Sequence, residues 1–427
     1  PESMQMGSRF GVAADWPLTY ETLEPYYCEA ERLVGVAGPD DPGARWRSEP
    51  YPLPAHGLGY ASQRIARGAE TLGMQWGANA RAALSEVYDG RPHCNYCSNC
   101  NRGCPRTDKG SVDVTFLRKA EASGTCTIRT GVTVTRIEAG AEDRVKGVHL
   151  VNAAGGDEFI KTPKLIVACG AVETPRLLLA SANQYAPNGL ANESGQVGRN
   201  FMETLAWSSS ALHTDSLGSY RGLPADSISW DYNAPDAIKG VVGGCRFSVG
   251  AAEAGLNGPL AYAQRIIGGW GRSHRAAMRE SFGRVITVGG IGESLPNSGT
   301  FVDLDTGEVD ANAVPLARIH SQLDAMDIKR LRFMQKTARS ILTASGAGEL
   351  VEEYGSYDFF SSTHVFGTCR MGADLEDSVV DGFGSSHRWS NLYIMDASIF
   401  PSSGGGESPS LTVEALGLRL AVDLAGV

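Results

Sequence analysis

The sequence has no uninterrupted apolar run of membrane length. Its best candidate, residues 165–180, is broken by Glu173 and Arg176, which argues against a transmembrane helix. It has no excess of positive charge either: the formal net charge is -10, which argues against nucleic acid as a partner. A G-x-G-x-x-G fingerprint is missing too, since Gly289, Gly290 and Gly292 do not fit it. The chain opens PESMQM, without an initiator Met or a signal peptide. Its nine cysteines are an odd number, so complete internal disulfide pairing is excluded.

What is present is ordinary in bulk and unusual in places. At 427 residues, with 20% charged and 42% hydrophobic residues, the chain has the composition of a globular protein large enough for two domains. Its 52 glycines suit close approach of backbone to a cofactor. Four cysteines crowd into His93–Pro105 as C-x2-C-x2-C-x3-C-P. Thiolates at these spacings converge on an iron-sulfur cluster, although the fourth Cys of such a run can serve a different cluster. A structural zinc and disulfides remain open as readings of the same run.

Periodicity predicts helices at Asp15–Gly35, Leu58–Leu72, Ser111–Ala122 and Arg318–Ser345, and one from Leu411 towards Leu424. Alternation predicts strands at Thr127–Ile137, Val145–Asn152 and Asp157–Thr162, with more around Trp207–Thr214, Gly240–Val249 and Arg284–Gly292. Leu165–Ala168 reads as a buried strand that meets Gly170 and then a helix carrying Pro175 in its first turn. The isolated His213, His274 and His320 read as surface or packing residues, as does core packing for Trp207, Trp230, Tyr232 and Trp270. Cys169 reads as core.

The C-terminal stretch carries the chemistry. HVFGTCRMG begins at His364, a strand at Leu392–Met395 delivers Asp396, and a Gly-rich turn at Gly404–Gly406 leads into the last helix. An acidic residue at a strand end, followed by Gly-rich backbone and a helix start, is a geometry that holds a polar cofactor. His364 would face it as a group able to accept a proton near neutral pH.

These motifs resemble the glucose-methanol-choline (GMC) flavin oxidoreductases, which share the H-x-x-G-T-C-R-M-G and D-A-S-x-F-P runs. The string ACGAVETPRLLLAS from Ala168 and the V-G-R-N element at Val197–Asn200 resemble the same family, and the D-W-P-x-x-Y-x-x-L-E-P-Y-Y segment at Asp15–Tyr27 resembles its bacterial sugar dehydrogenases. The resemblance implies an α/β fold with a Rossmann-like FAD domain, its N-terminal βαβ half missing, and a substrate domain with a mainly antiparallel sheet and helices. It divides the chain into a linker and cap region with the Cys run (1–104), FAD-domain parts (105–204 and 363–427) and a substrate domain (205–362). It also implies FAD contacts at Val134, Gly170, Ala171, Thr174, Asn200, Asp396, Ala397 and Pro409. His364 is then the base, and Ser408 stands where relatives carry a second catalytic Asn. The Cys run resembles the three-iron cluster site of FAD-dependent glucose and fructose dehydrogenase subunits through Cys94, Cys100 and Cys104, with Cys97 as an extra residue that would allow a four-iron cluster. The expected activity is oxidation of a sugar, glycoside or polyol hydroxyl. Electrons would pass to a small subunit or cytochrome c in the periplasm. An oxygen-using alcohol oxidase and a non-catalytic redox or assembly subunit are the alternatives.

Overall fold

Helix ends in this chain are set by local chemistry that can be followed residue by residue in a computed structural model, which describes residues 1–40, 46–250, 254–360 and 363–426. Helix α1 (Tyr20–Val34) starts on Thr19, whose side chain accepts from the Thr22 amide, and stops at Gly35 in the left-handed conformation. Then come α2 (Tyr60–Thr71) and the short strand β1 (Gly77–Ala78). An antiparallel three-stranded sheet follows: β2 (Val132–Ala139), β3 (Val145–Asn152) and β4 (Asp157–Lys161). Strand β5 (Leu165–Val167) leads into α3 (Gly170–Ala180).

The middle of the chain supplies β6 (Met202–Glu203), β7 (Leu205–His213), β8 (Ser227–Ser229), β9 (Cys245–Val249), α4 (Gly271–Ser281) and β10 (Val285–Gly292). A hairpin, β11 (Phe301–Val309) and β12 (Pro315–His320), precedes α5 (Ala325–Ala344). Strands β13 (Ala347–Gly355), β14 (Val365–Phe366) and β15 (Leu392–Ile394) and helix α6 (Ser410–Ala425) complete the order.

Two apolar cores organise these elements. In one, a six-stranded antiparallel sheet of order β13-β7-β10-β9-β8-β1 is covered by α2 and α5. Leu331, Met334, Ala338 and Ile341 of α5 pack on Trp207, Phe247, Ile286 and Val288. Each such fully buried side chain stabilises the fold by about 1.5–3 kcal/mol. Gly290 of β10 has a packing reason, since a Cβ there would lie 3.0 Å from Met334 Sδ. In the other core, parallel strands β5 and β15 are flanked by α1, α3 and α6, with Leu23, Leu178, Ile394, Leu416 and Trp389 at its centre. The first hundred residues are shared out between the two: α1 packs on α6 and α2 on α5. Among the described residues no helix is long and apolar enough to cross a membrane.

Several sequence expectations shift. The helix expected from Arg318 begins at Ala325, because Asp324 and Asp327 close a capping box there and Arg318–His320 pair with Phe301–Asp303. The strand expected from Thr127 begins at Val132. The Ser111–Ala122 helix is a π turn, Asp113–Leu117, followed by one α turn, Arg118–Ala122. Strand β5 is not buried on both faces: Val167 is buried, but Ile166 is 48% exposed. The reason is that β5 has a single sheet neighbour, β15. The chain beyond it is exposed as well, so Cys169 is a surface residue rather than core.

Candidate active site

Parallel pairing of β5 with β15 carries the chain beyond each strand to the same end of the sheet, and there Asp396 meets α3. The buried Asp396 carboxylate accepts from the Gly170 amide at 3.0 Å, the Thr174 hydroxyl at 2.6 Å and the Ser398 amide at 2.8 Å. Its side chain therefore fastens the strand end to the helix start, and both it and Thr174 spend their polar atoms on each other. Ala171 is also buried, its carbonyl bonded by Thr368 Oγ1 at 2.7 Å. Gly170 is different. It takes φ 82°, and nothing lies within 4 Å of the place a Cβ would occupy.

The HVFGTCRMG run is zipped to the DASIF run by backbone. Gly367, Cys369 and Met371 donate to Ala397, Ser398 and Ile399 carbonyls at 3.2, 2.8 and 2.8 Å. Asn200 joins them: its carbonyl would lie 2.2 Å from a Cβ on Gly367, and its side chain donates to Gln196 Oε1. Ala397, Asn200 and Gly367 thus form one junction.

His364 enters this junction just before β14, at φ 56°, a left-handed conformation that a non-glycine residue adopts at an energetic cost. Two bonds to its carbonyl hold it there, from the Thr204 amide at 3.2 Å and Thr204 Oγ1 at 3.1 Å. No hydrogen bond from the described residues occupies either imidazole nitrogen. Burial lowers its pKa to about 4, and the positive charge of Arg246 adds to that. A half-buried, neutral imidazole with both nitrogens unengaged can accept a proton from a bound molecule.

Arg246 was not legible as a site residue; its one signal is a lone charge in the apolar strand CRFSV. It lies on β9 and donates to the Gly406 carbonyl at 2.8 Å and to Ser248 Oγ at 2.9 Å. Ser408 is exposed, and the structure gives it no hydrogen bond to His364. Pro409 stands at the start of α6. Val134 is exposed on β2, whose next residues, Thr135 and Arg136, line a cavity of about 600 Å³ together with His149, Phe159 and Pro315.

The cysteine run is placed differently from its expectation. Cys94 is buried in a small apolar cluster with Ala83 and Leu223, Cys97 faces solvent, and Cys104 Sγ donates to Asp108 at 3.2 Å. Cys100 packs against the same cluster, and the run takes positive φ at Tyr96, Ser98 and Gly103. Burial pushes the Cys94 thiol up to about 11. Among the described residues no three His, Cys, Asp or Glu side chains form a metal-binding group, and all nine cysteines are free thiols. As placed, Cys94, Cys97, Cys100 and Cys104 therefore fit neither a cluster, nor zinc, nor disulfides. The isolated histidines are satisfied locally: His213 bonds the Ser345 carbonyl and the Asp215 amide, and His320 faces Asp303. Of the aromatics, Trp207 is core, whereas Trp270 is 88% exposed.

Sequence comparison finds two matches to domain models described as GMC oxidoreductase, over residues 52–206 and 296–417. The chain is 30% identical to 6'''-hydroxyparomomycin C oxidase of Streptomyces lividus, covering 96% of this chain and 72% of that protein. It is 28% identical to the fructose dehydrogenase large subunit of Gluconobacter japonicus, covering 99% and 76%. Among solved structures it is similar to pyridoxine 4-oxidase from Mesorbium loti, at a TM-score of 0.63 and 17% identity, covering 100% of this chain and 81% of the other.

Proposed function

Since this chain belongs to the GMC oxidoreductase family, we propose that it is an FAD-dependent dehydrogenase oxidising a hydroxyl of a sugar, glycoside or polyol. When bound, FAD supplies the hydride acceptor. The residues at the strand ends fit such a group. Gly170 leaves open space at the N-terminus of α3, beside exposed Ala168 and Cys169. Gly170, Asn200, Ala397 and Pro409 would hold the cofactor and Val134 would flank it. Ala171, Thr174 and Asp396 shape the wall behind.

The observation that carries this reading is His364: neutral, strained, unengaged at both nitrogens and pinned by Thr204. Its task is to take the hydroxyl proton as the substrate is oxidised. Ser408 is the candidate for a second contact to that hydroxyl. Anaerobic mixing of flavin-loaded protein with a panel of sugars and polyols tests the reading. Bleaching of the flavin by a member of the panel, lost in H364A, supports it; no bleaching by any member sinks it.

Onward delivery to a small subunit or a cytochrome c, in the periplasm and with membrane association through that partner, belongs to the same proposal. It is supported by similarity to a protein named as one subunit of an assembly. The Cys run does not fit a cluster as placed, so no step is drawn through iron. Iron and acid-labile sulfide per flavin decide it: about three or four of each would restore the relay. A second reading, an oxidase passing electrons to oxygen, is favoured by the dispersed thiols and by similarity to an oxidase. Stoichiometric peroxide under air would identify it.

A further inference from the structure

Glu293 directly follows β10, is fully buried, and neither of its carboxylate oxygens meets a hydrogen-bond partner. The Gly244 and Gly404 amides lie near it without closing a bond of good geometry. A carboxylate in that condition is costly, whereas a neutral carboxylic acid is far less so.

The groups packed around it explain why no cation resolves the problem. On α5, Arg330 is turned to backbone: it donates to the Gly243, Val242 and Glu293 carbonyls and to Asp327 Oδ1. On β9, Cys245 is buried and Arg246 reaches the Gly406 carbonyl and Ser248. The glycine turn brings a second acid, Glu407, whose Oε1 accepts from Asn233 Nδ2 at 2.8 Å. Gly404 stands between the two acids, since a Cβ on it would lie 2.9 Å from Glu407 Oε2. The turn itself has no slack. Gly406 takes φ 104°, and a Cβ there would be 2.4 Å from the Ile291 carbonyl and 2.8 Å from Arg246 Cγ. The path from Glu293 to the turn and to Arg246 is therefore contiguous, and the charge of Arg246 acts on His364.

We propose that Glu293 is a positioning residue: as the neutral acid it removes charge repulsion with Glu407 near Gly404, and so leaves the Gly404–Glu407 turn seated against Arg246, the cation whose charge acts on His364. Burial raises its pKa to about 7, opposed by the charge of Arg330 and reinforced by that of Glu407. Because the folded value lies above the ordinary glutamate value of 4.5, the neutral acid is favoured by folding. The stability it brings is present at low pH and drains as pH rises towards about 7. Once ionised, Glu293 repels the charge of Glu407 and the turn loosens.

The catalytic consequence rests on the proposed role of His364, but the proton on Glu293 does not, so its test avoids turnover. Infrared spectra of the purified full chain are titrated from about pH 5 to 9, alongside hydrogen exchange of the peptide spanning Gly404–Glu407. Wild type is expected to show a protonated-carboxyl band that fades about pH 7. Turn protection, corrected for intrinsic exchange, should fall by up to about tenfold per pH unit between about pH 5 and pH 7 and level off above that. E293Q should lack the band and the pH dependence while keeping the low-pH protection. E407Q should retain the band and move its fading to lower pH, which covers the case in which E293Q fails to fold. A wild type without the band, protection equally pH-dependent in E293Q, or an unmoved midpoint in E407Q overturns the proposal. Failure of any sugar to reduce the flavin would overturn the proposed function and leave this result standing.

Discussion

His364 concentrates the residue-scale argument, because its backbone strain and its lowered pKa come from different neighbours. Replacing it with Ala or Asn is expected to slow flavin reduction about 10²–10⁴-fold with little change in Tm; stopped-flow and thermal melts check this. Its pKa is depressed to about 4 from the ordinary histidine value of 6.5, so the unfolded chain takes up the proton first as pH falls. Stability from this group is thus present above about 6.5 and lost as pH drops through about 4, and the rate of flavin reduction should fall over the same lower limb. Thr204→Val keeps the amide bond to the His364 carbonyl and removes the hydroxyl one. A roughly tenfold slower reduction at nearly unchanged Tm is expected, since the imidazole loses its aim rather than its chemistry. Asp396→Ala strands three donors, two of them backbone, and should lower stability by roughly 3 kcal/mol in denaturant titration. His364 was readable in advance because its motif is local. Arg246 was not, because its nearness to His364 comes from packing between strands of different sheets far apart in the chain.

At the scale of elements, helix ends and helix crossings are the sensitive points. Helix α5 depends on its Asp324–Asp327 capping box, and Asp324→Ala should cost about 1 kcal/mol, read from the denaturation midpoint. That box also explains why amphipathic spacing alone placed the helix start too early: the apolar residues of β12 extend the pattern, but Asp324 ends it. Helix α2 crosses the end of α5 at Gly68, where a Cβ would fall 2.6 Å from the Ser345 amide. Gly68→Ala should therefore push the two helices apart and destabilise by about 1–3 kcal/mol, with the loss confined to the core they share. Nothing in the repeat of apolar positions marks Gly68, since its reason lies in another helix.

At the scale of the whole molecule, the fully buried Arg330 ties α5 to the chain around the six-stranded sheet through the Gly243, Val242 and Glu293 carbonyls. Arg330→Ala would leave three carbonyls without this donor and the buried Asp327 carboxylate without its cation, and is expected to cost roughly 3–5 kcal/mol. Hydrogen exchange should then show the six-stranded sheet opening before the β5–β15 core. Sequence by itself determined the strand and helix alphabet and the mixed α/β class with antiparallel sheets. Period, caps and turns act within a few residues, and these signals survive without tertiary contacts. Tertiary structure alone decided that Asp396 spends its carboxylate on α3, that the crowded thiols form no metal-binding group among the described residues, and that the charge of Arg246 acts on His364. Each of those outcomes depends on register and backbone conformation, and a one-residue slip in a strand sends every side chain to the opposite face.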